Sequence, residues 1–563
     1  MGRKLVSITL AFLFILLLFS YSYKIKTVEK SPKIEIFYPP EPNVYNTTFE
    51  KINTLNDQNY TINLNITARY FPNNTIKGTI AFEIVDRKSN ITPIYIAFVP
   101  NLANITCIKV DSIEVNTTKL SYYLATFEGT DTKVLILNVS APRDVSIRGF
   151  INYTSTYEAI RDWGVGTVLT SIDLVGYRDK IKVKIEIPRN YEILPEPDRM
   201  FPLQNRKVVE FYNKPNSWPF FFIFPRANTK TLKVGNLTVT IVFQNSTSSS
   251  YCLNRTIEII QQTLSTYSED LGRLHQNKIA VIFYPKWPYY TGQELALSPT
   301  TSAVILGSRG GLCTLLSLNP DLFYHELAHL WFGGYADFGR INESLATFMN
   351  LYMRVKGSRN LDGFEGSALQ YINYSKTLAE IYKEGIFNSQ ARAGIVYYKG
   401  AFVFRSLQFV LGDETFFSGL RELLKECHGR ECNLTDVQNV FEEVSGQDLD
   451  WFFKEWFYST RVPDYEIENL SVTQRDDKYF LTFEIIDKNN FTMPLEVEVT
   501  TSKEKLVKKV WIKGKAKVSV ELNDKPTKII LDPNEWMMNK NKKYNVEGIG
   551  IEVNYPALTD GAS

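Results

Sequence analysis

The sequence predicts a multidomain α+β protein: a β-rich N-terminal domain, a mostly helical middle domain and a small C-terminal β-sandwich. Three observations carry this. Alternating and β-branched runs fill residues 46–240, apolar residues switch to helical spacing from Thr256, and alternation returns after Pro463. At about 150 residues per domain, a chain of 563 residues makes three to four domains. Its 44% hydrophobic and 22% charged content suffice for a sizeable core. The formal net charge of +2, with no basic stripe interleaved with aromatics, argues against a nucleic-acid partner.

Residues 1–30 read as a membrane anchor or signal. Arg3 and Lys4 precede an uncharged run from Leu5 to Tyr23. Nineteen residues at about 1.5 Å each reach roughly 28 Å, the thickness of a bilayer core. The run ends in FSYSYK, without a small-x-small cleavage site, which favours an uncleaved single-pass anchor over a secreted product. Lys24, Lys26, Lys30 and Lys33 on the C-terminal flank would hold the body inside by the positive-inside rule. Large domains translocate largely regardless of charge. Asn-x-Ser/Thr sequons start at Asn46, Asn59, Asn65, Asn73, Asn90, Asn104, Asn116, Asn138 and Asn152 and continue to Asn490, so the expectation is an extracellular, glycosylated body at the cell membrane.

Residues 31–45 (SPKIEIFYPPEPNVY) are Pro-rich and read as a linker. From 46 to 240, runs such as YTINLNITARYF, GTIAFEIV and KIKVKIEIP are separated by turn residues, the pattern of an antiparallel sandwich or a large bent sheet. The middle domain spans 241–462. It opens with the helical stretch TIEIIQQTLSTYSEDLG and the strand KIAVIFYP, then runs through a series of helices with cap residues at their starts and Gly past their ends. Strand patterns such as KYFLTFEII and PLEVEVTT fill 463–552, and 553–563 is a tail. Of five cysteines, Cys427 and Cys432 bracket a short HGRE loop that a disulfide could close; Cys252 and Cys313 make a second candidate pair, leaving Cys107 free. Buried thiols in a reducing compartment are the alternative.

The chemistry-bearing motif is His325-Glu326-Leu327-Ala328-His329, two of only four histidines in the chain. Asn319 suits an N-cap and Pro320 the first helical position, which places both histidines inside a helix. Four residues turn about 400°, so both imidazoles leave one face and can converge on one ion, while Glu326 can take a proton from an attacking water and pass it to a leaving amine. A catalytic zinc takes three protein ligands and keeps one open position. Glu343, at the start of the following helix, is the choice for the third; Asp337 in the intervening YADFGR loop is the runner-up.

HELAHLWFGG followed by NESLA resembles the aminopeptidase N and leukotriene-hydrolase family of zinc metallopeptidases. The resemblance implies one zinc ion per chain held by His325, His329 and Glu343, Glu326 as general base, and peptide substrates. Tyr397-Tyr398-Lys399-Gly400 looks like the family's Y-x-K-G-A motif and assigns Tyr397 to the developing oxyanion. It further implies a saddle-like N-terminal domain, a thermolysin-like catalytic domain and a small sandwich. Three departures stand out. Thirteen residues separate His329 from Glu343, where about eighteen are usual for the motif. Asn350 stands seven positions after Glu343, where a Glu is common. The exopeptidase signature G-x-M-E-N is replaced by YTGQELALSPTTSAVIL, with Gly292 and Glu294 as its nearest substrate-binding counterparts. The functional expectation is a zinc aminopeptidase. The alternatives are an endo- or oligopeptidase and a catalytically silent surface binding module. A single hydrophobic span does not suit a transporter.

Overall fold

A computed structural model describes residues 34–47, 60–72, 75–100, 103–127, 130–156, 166–167, 172–175, 177–194, 196–212, 222–225, 229–243, 249–284, 292–298, 301–307, 311–370, 374–384, 394–539, 543–545 and 551–553. The expected span at 5–23 lies outside them, as do Asn59, Asn73 and most of the tail. Among the described residues no helix is long and apolar enough to cross a membrane. The chain divides into two compact units, Met1–Asn228 and Thr229–Ser563.

The first unit holds a six-stranded and an eight-stranded sheet, with a small three-stranded sheet beside them. In Thr61–Phe71 every second residue from Ile62 to Tyr70 is buried, as period-2 side-chain alternation dictates. These pack with Ile94 and Ile96 of Ile91–Phe98 and with Leu135 and Leu137 of Thr130–Ser140 in one core, which makes the two main sheets a sandwich. The pairing is not wholly antiparallel: Tyr177–Pro188 runs parallel to Thr61–Phe71. Nor is the Pro-rich stretch a free linker. Glu35–Phe37 pairs with Thr130–Ser140 and Val44–Asn46 with Tyr122–Phe127. Pro39, Pro40 and Pro42 fall between those strands, where no ladder N–H is needed. Asn46, Asn65, Asn90, Asn104 and Asn116 are exposed.

The second unit begins with β1 (Thr229–Val234) and β2 (Leu237–Val242), followed by β3 (Lys278–Tyr284), β4 (Gly292–Ser298) and β5 (Thr301–Gly307). They form one sheet in the order β1-β2-β3-β5-β4. The sequence reading ended the first domain at 240. The strands before that point instead belong to this sheet, because β2 pairs in parallel with β3 across the crossover helix α1 (Ser250–Leu271). That helix starts two turns earlier than its apolar period, capped by Ser249, and stops at Gly272 as expected.

Beyond the sheet come α2 (Gly311–Leu318), α3 (Asp321–Ala328), α4 (Ile341–Lys356), α5 (Asp362–Leu369) and α6 (Leu378–Lys383). A π-helical turn at Ile395–Lys399 runs directly into α7 (Gly400–Leu411), followed by α8 (Asp413–Glu426), α9 (Leu434–Ser445) and α10 (Asp450–Trp456). Asn433 caps α9 through a capping box and Gly446 ends it in the left-handed conformation, as the sequence signals. Both candidate disulfides are formed, Cys252–Cys313 and Cys427–Cys432, and Cys107 is free.

The C-terminal strands β6 (Tyr465–Arg475), β7 (Lys478–Asp487), β8 (Thr492–Thr501), β9 (Lys505–Lys513), β10 (Lys515–Leu522), β11 (Pro526–Leu531), β12 (Lys543–Asn545) and β13 (Ile551–Val553) form one hydrogen-bonded path. The one ladder pairing of β9 with β10 is Lys513↔Lys515, so the path turns there into two four-stranded halves, a small sandwich. It is bolted to the helices. Arg405 of α7, buried, donates Nε to Glu535 O at 2.6 Å and Nη2 to Asn534 O at 2.7 Å, and its guanidinium covers Trp536. The helices and the sandwich belong to the one unit Thr229–Ser563.

Candidate active site

α3 and α4 pack against each other and bring the two halves of the motif together. α3 begins one residue later than its sequence predicts. Pro320 is the boundary residue in the right-handed helical region, no side chain caps the end, and Asn319 serves only through its carbonyl, which accepts from Leu322 N. Asp321 in the first turn is clamped by Arg354 and, at 2.9 Å, by Arg359 Nη1. Phe323 and Leu327 anchor the inner face. His325 lies within the helix and His329 one residue past its end, still helical at φ −62 and ψ −17, so the one-turn spacing survives.

The imidazoles converge: their Nε2 atoms are 3.1 Å apart. His329 Nδ1 lies 2.9 Å from Phe332 O, which can only accept, so Nδ1 carries a proton and Nε2 is the atom turned to the cluster. His325 Nδ1 is 3.3 Å from Thr347 Oγ1 on α4. Thr347 lies one turn after Glu343, on the same helix face. The sequence reading missed both supports, and only the i+4 spacing from Glu343 could have signalled Thr347.

Glu343 completes the cluster. Its Oε2 lies 3.2 Å from His325 Nε2 and 3.3 Å from His329 Nε2, is buried, and has no hydrogen-bond donor. Burial opposes its charge, but the two imidazoles outweigh it and hold the carboxyl far below its usual range. The same contacts raise His329 despite its burial. The three donor atoms lie within 4.8 Å of one another. Edges of 3.1 to 3.3 Å fit one face of a tetrahedron with arms of about 2.0 Å, the Zn–N and Zn–O length. Two imidazole nitrogens and a carboxylate, with an unsatisfied buried oxygen, therefore fit a zinc ion. Asp337, the runner-up, is not part of the cluster: it is exposed, and its Oδ1 accepts from Gly339 N and Asn342 Nδ2.

Glu326 is buried directly after His325 in the chain, and burial raises its pKa. The Tyr397 ring sits 5.6 Å from that of His325, carried on the π-turn. Burial and then the Glu343 charge push its hydroxyl well above the usual phenol range, so it keeps its proton. A cavity of about 340 Å³ opens here, lined by His325, Glu326, Thr347, Asn350, Phe364 and Tyr397 among others. Asn350, only 5% exposed, has an Oδ1 without a hydrogen-bond partner. Gly292 and Glu294 lie on β4, the edge strand that runs beside α3, paired with Leu306 and Val304 of β5. Their side chains lie outside what the structure describes.

A sheet flanked by helices, with a His-Glu-x-x-His helix and a carboxylate on the next, defines a metallopeptidase-type domain. Residues 255–456 match the family model described as Peptidase family M1 domain. The tricorn protease-interacting factor F2 of Thermoplasma acidophilum is 24% identical over 347 residues, 57% of this chain and 42% of that protein. Aminopeptidase N of Streptomyces lividans is 30% identical over 160 residues, 24% of this chain and 18% of that protein. The crystal structure of Legionella pneumophila aminopeptidase A in complex with aspartic acid is similar with a TM-score of 0.54 at 13% identity, covering 89% of this chain and 60% of that one, which shows the shared fold. The chain spans about two fifths of the length of the first two curated relatives it matches.

Proposed function

We propose that this chain is a zinc-dependent peptidase that removes residues from the amino end of peptides, anchored at the cell surface by residues 1–30 with its body outside. The observation that carries the reading is the Glu343 Oε2 atom, buried without a hydrogen bond between His325 and His329. A zinc ion held by these three residues would supply Lewis acidity, acidifying water and polarising a carbonyl. Glu326 would accept the proton of the attacking water and return it to the leaving amine; its burial favours the protonated form it must pass through. Tyr397, protonated across the physiological range, would donate to the oxygen on which charge develops. The neighbours named as aminopeptidases support cleavage at the amino end. Glu294, on the strand beside α3, is the candidate to pair with a free α-amine.

The test is hydrolysis by the purified chain, with metal analysis alongside. Stoichiometric zinc and chelator-sensitive release from aminoacyl amides, with N-blocked peptides left intact, would support the reading. Cleavage of blocked peptides would replace it with an endopeptidase. Zinc bound without turnover on any peptide would leave a silent binding module. Surface labelling of intact cells checks the location; an unlabelled chain would reject the anchored, outward-facing placement.

A further inference from the structure

We propose that the loop closed by Cys427–Cys432 is a positioning element of the metal site: it templates the short connection between the ligand-bearing helices and so fixes where Glu343 stands. The inference rests on the metal role proposed for Glu343.

The connection from His329 to Glu343 has thirteen intervening residues. It must reverse direction, and its buried polar groups need partners. Part of it is satisfied internally: Gly333 N donates to Ala336 O at 2.7 Å, and Ala336 N to Trp331 O at 3.1 Å. The second half leans on the disulfide loop instead. Ala336 bridges to His428 and Asp337 to Glu431. Cys432 N donates to Asp337 O at 2.8 Å. His428 Nδ1 donates to Tyr335 O at 2.9 Å, and the His428 ring stacks on Tyr335 at 4.3 Å between centroids. His275 closes the group edge-on, 4.7 Å from His428 and 4.9 Å from Tyr335. The two histidines outside the metal site are thus both spent on this junction.

From there a short chain of bonds leads to the ligand. Asp337 Oδ1 accepts from Asn342 Nδ2 at 2.8 Å, and Asn342 Oδ1 accepts from Phe338 N at 3.0 Å. Asn342 directly precedes Glu343. Both sulfurs belong to buried residues, whereas His428, Gly429, Arg430 and Glu431 between them are exposed. Exposed backbone of this kind frays unless it is tied. Closing a sequence separation of 5 residues adds little global stability compared with a long loop. The contribution of this crosslink is therefore local, to the strand-like edge on which Asp337 rests. Cys252–Cys313, which closes a separation of 61 residues and does not touch the connection, provides the contrast.

The experiment uses the full chain and two double variants, Cys427→Ala with Cys432→Ala and Cys252→Ala with Cys313→Ala. Zinc affinity is read by competition with a chromophoric chelator, and melting temperature is read at saturating zinc. The first pair should weaken zinc binding about 10- to 100-fold, the range for groups that orient a ligand. The second should lower the melting temperature more and leave zinc affinity within about 3-fold. His428→Ala should weaken zinc binding as well, and His428→Asn, which keeps a donor for Tyr335 O, should recover most of the loss. Unchanged affinity in the first pair, or equal loss in both pairs, overturns the proposal. If Glu343→Ala binds zinc as tightly as the unaltered chain, the metal assignment fails first, and the positioning role falls with it.

Discussion

The hydroxyl of Ser344 donates to the carbonyl of Val396 at 2.7 Å and ties the helix carrying Glu343 to the π-turn carrying Tyr397. Ser344 directly follows Glu343, and Val396 directly precedes Tyr397. Tyr382 completes the junction by bonding the same hydroxyl at 2.7 Å. The Glu343 carboxylate and the Tyr397 phenol are therefore spaced by a buried bond between their neighbours.

Gly400 lies where that junction leaves no room. A Cβ there would run into Ser344 Oγ and approach Tyr382 Oη to 2.9 Å. Gly400→Ala should cost about 1–3 kcal/mol, as overpacking does. Displacement of Ser344 should also lower activity beyond the loss of folded protein. Thermal melts and kcat of the folded fraction measure the two; an alanine variant with unaltered melting and rate would contradict the close approach.

Glu326→Gln keeps the shape of the side chain and removes its ability to take a proton. Turnover should fall about 10²- to 10⁴-fold with zinc content unchanged. Retained turnover would assign the proton transfer to another group.

Tyr397→Phe removes the hydroxyl proposed to donate to the developing oxyanion. The expected loss is about 10²- to 10³-fold in kcat, with little change in KM, because the bond strengthens only as charge develops. A variant affected mainly in KM would place Tyr397 in ground-state binding instead.

Lys399 carries a pH dependence of stability. Burial lowers its amine from 10.5 to about 8, with only the Ser459 and Thr460 carbonyls near Nζ, at 3.4 and 3.5 Å. Between those values the unfolded chain holds the proton and the folded chain does not. Stability from this group therefore rises with pH from about 8 to 10.5, by up to roughly 3 kcal/mol. From pH 8 to pH 10 the unaltered chain should gain stability relative to Lys399→Met, read from their melting curves; a constant difference would show that the amine is not depressed.

The sequence by itself determined the helix carrying His325 and Glu326, with His329 just past its end still in helical conformation, because a four-residue spacing of helical backbone fixes a shared face whatever surrounds it. It also determined the strand-rich ends, through period-2 burial, and the capped helices between them. The carry-over of Glu343 and Tyr397 rested on motif resemblance, since one acidic residue in a first turn and one of 32 tyrosines carry no signal of their own. Only the tertiary structure decided that Glu343 rather than Asp337 faces the imidazoles, that β1 and β2 join the second unit, and that the Pro-rich stretch pairs with a sheet. It alone placed Thr347 behind His325 and the disulfide loop against the ligand connection. These are contacts between segments far apart in the chain, and their selection depends on packing and on partners for buried polar groups, which no local pattern of residues encodes.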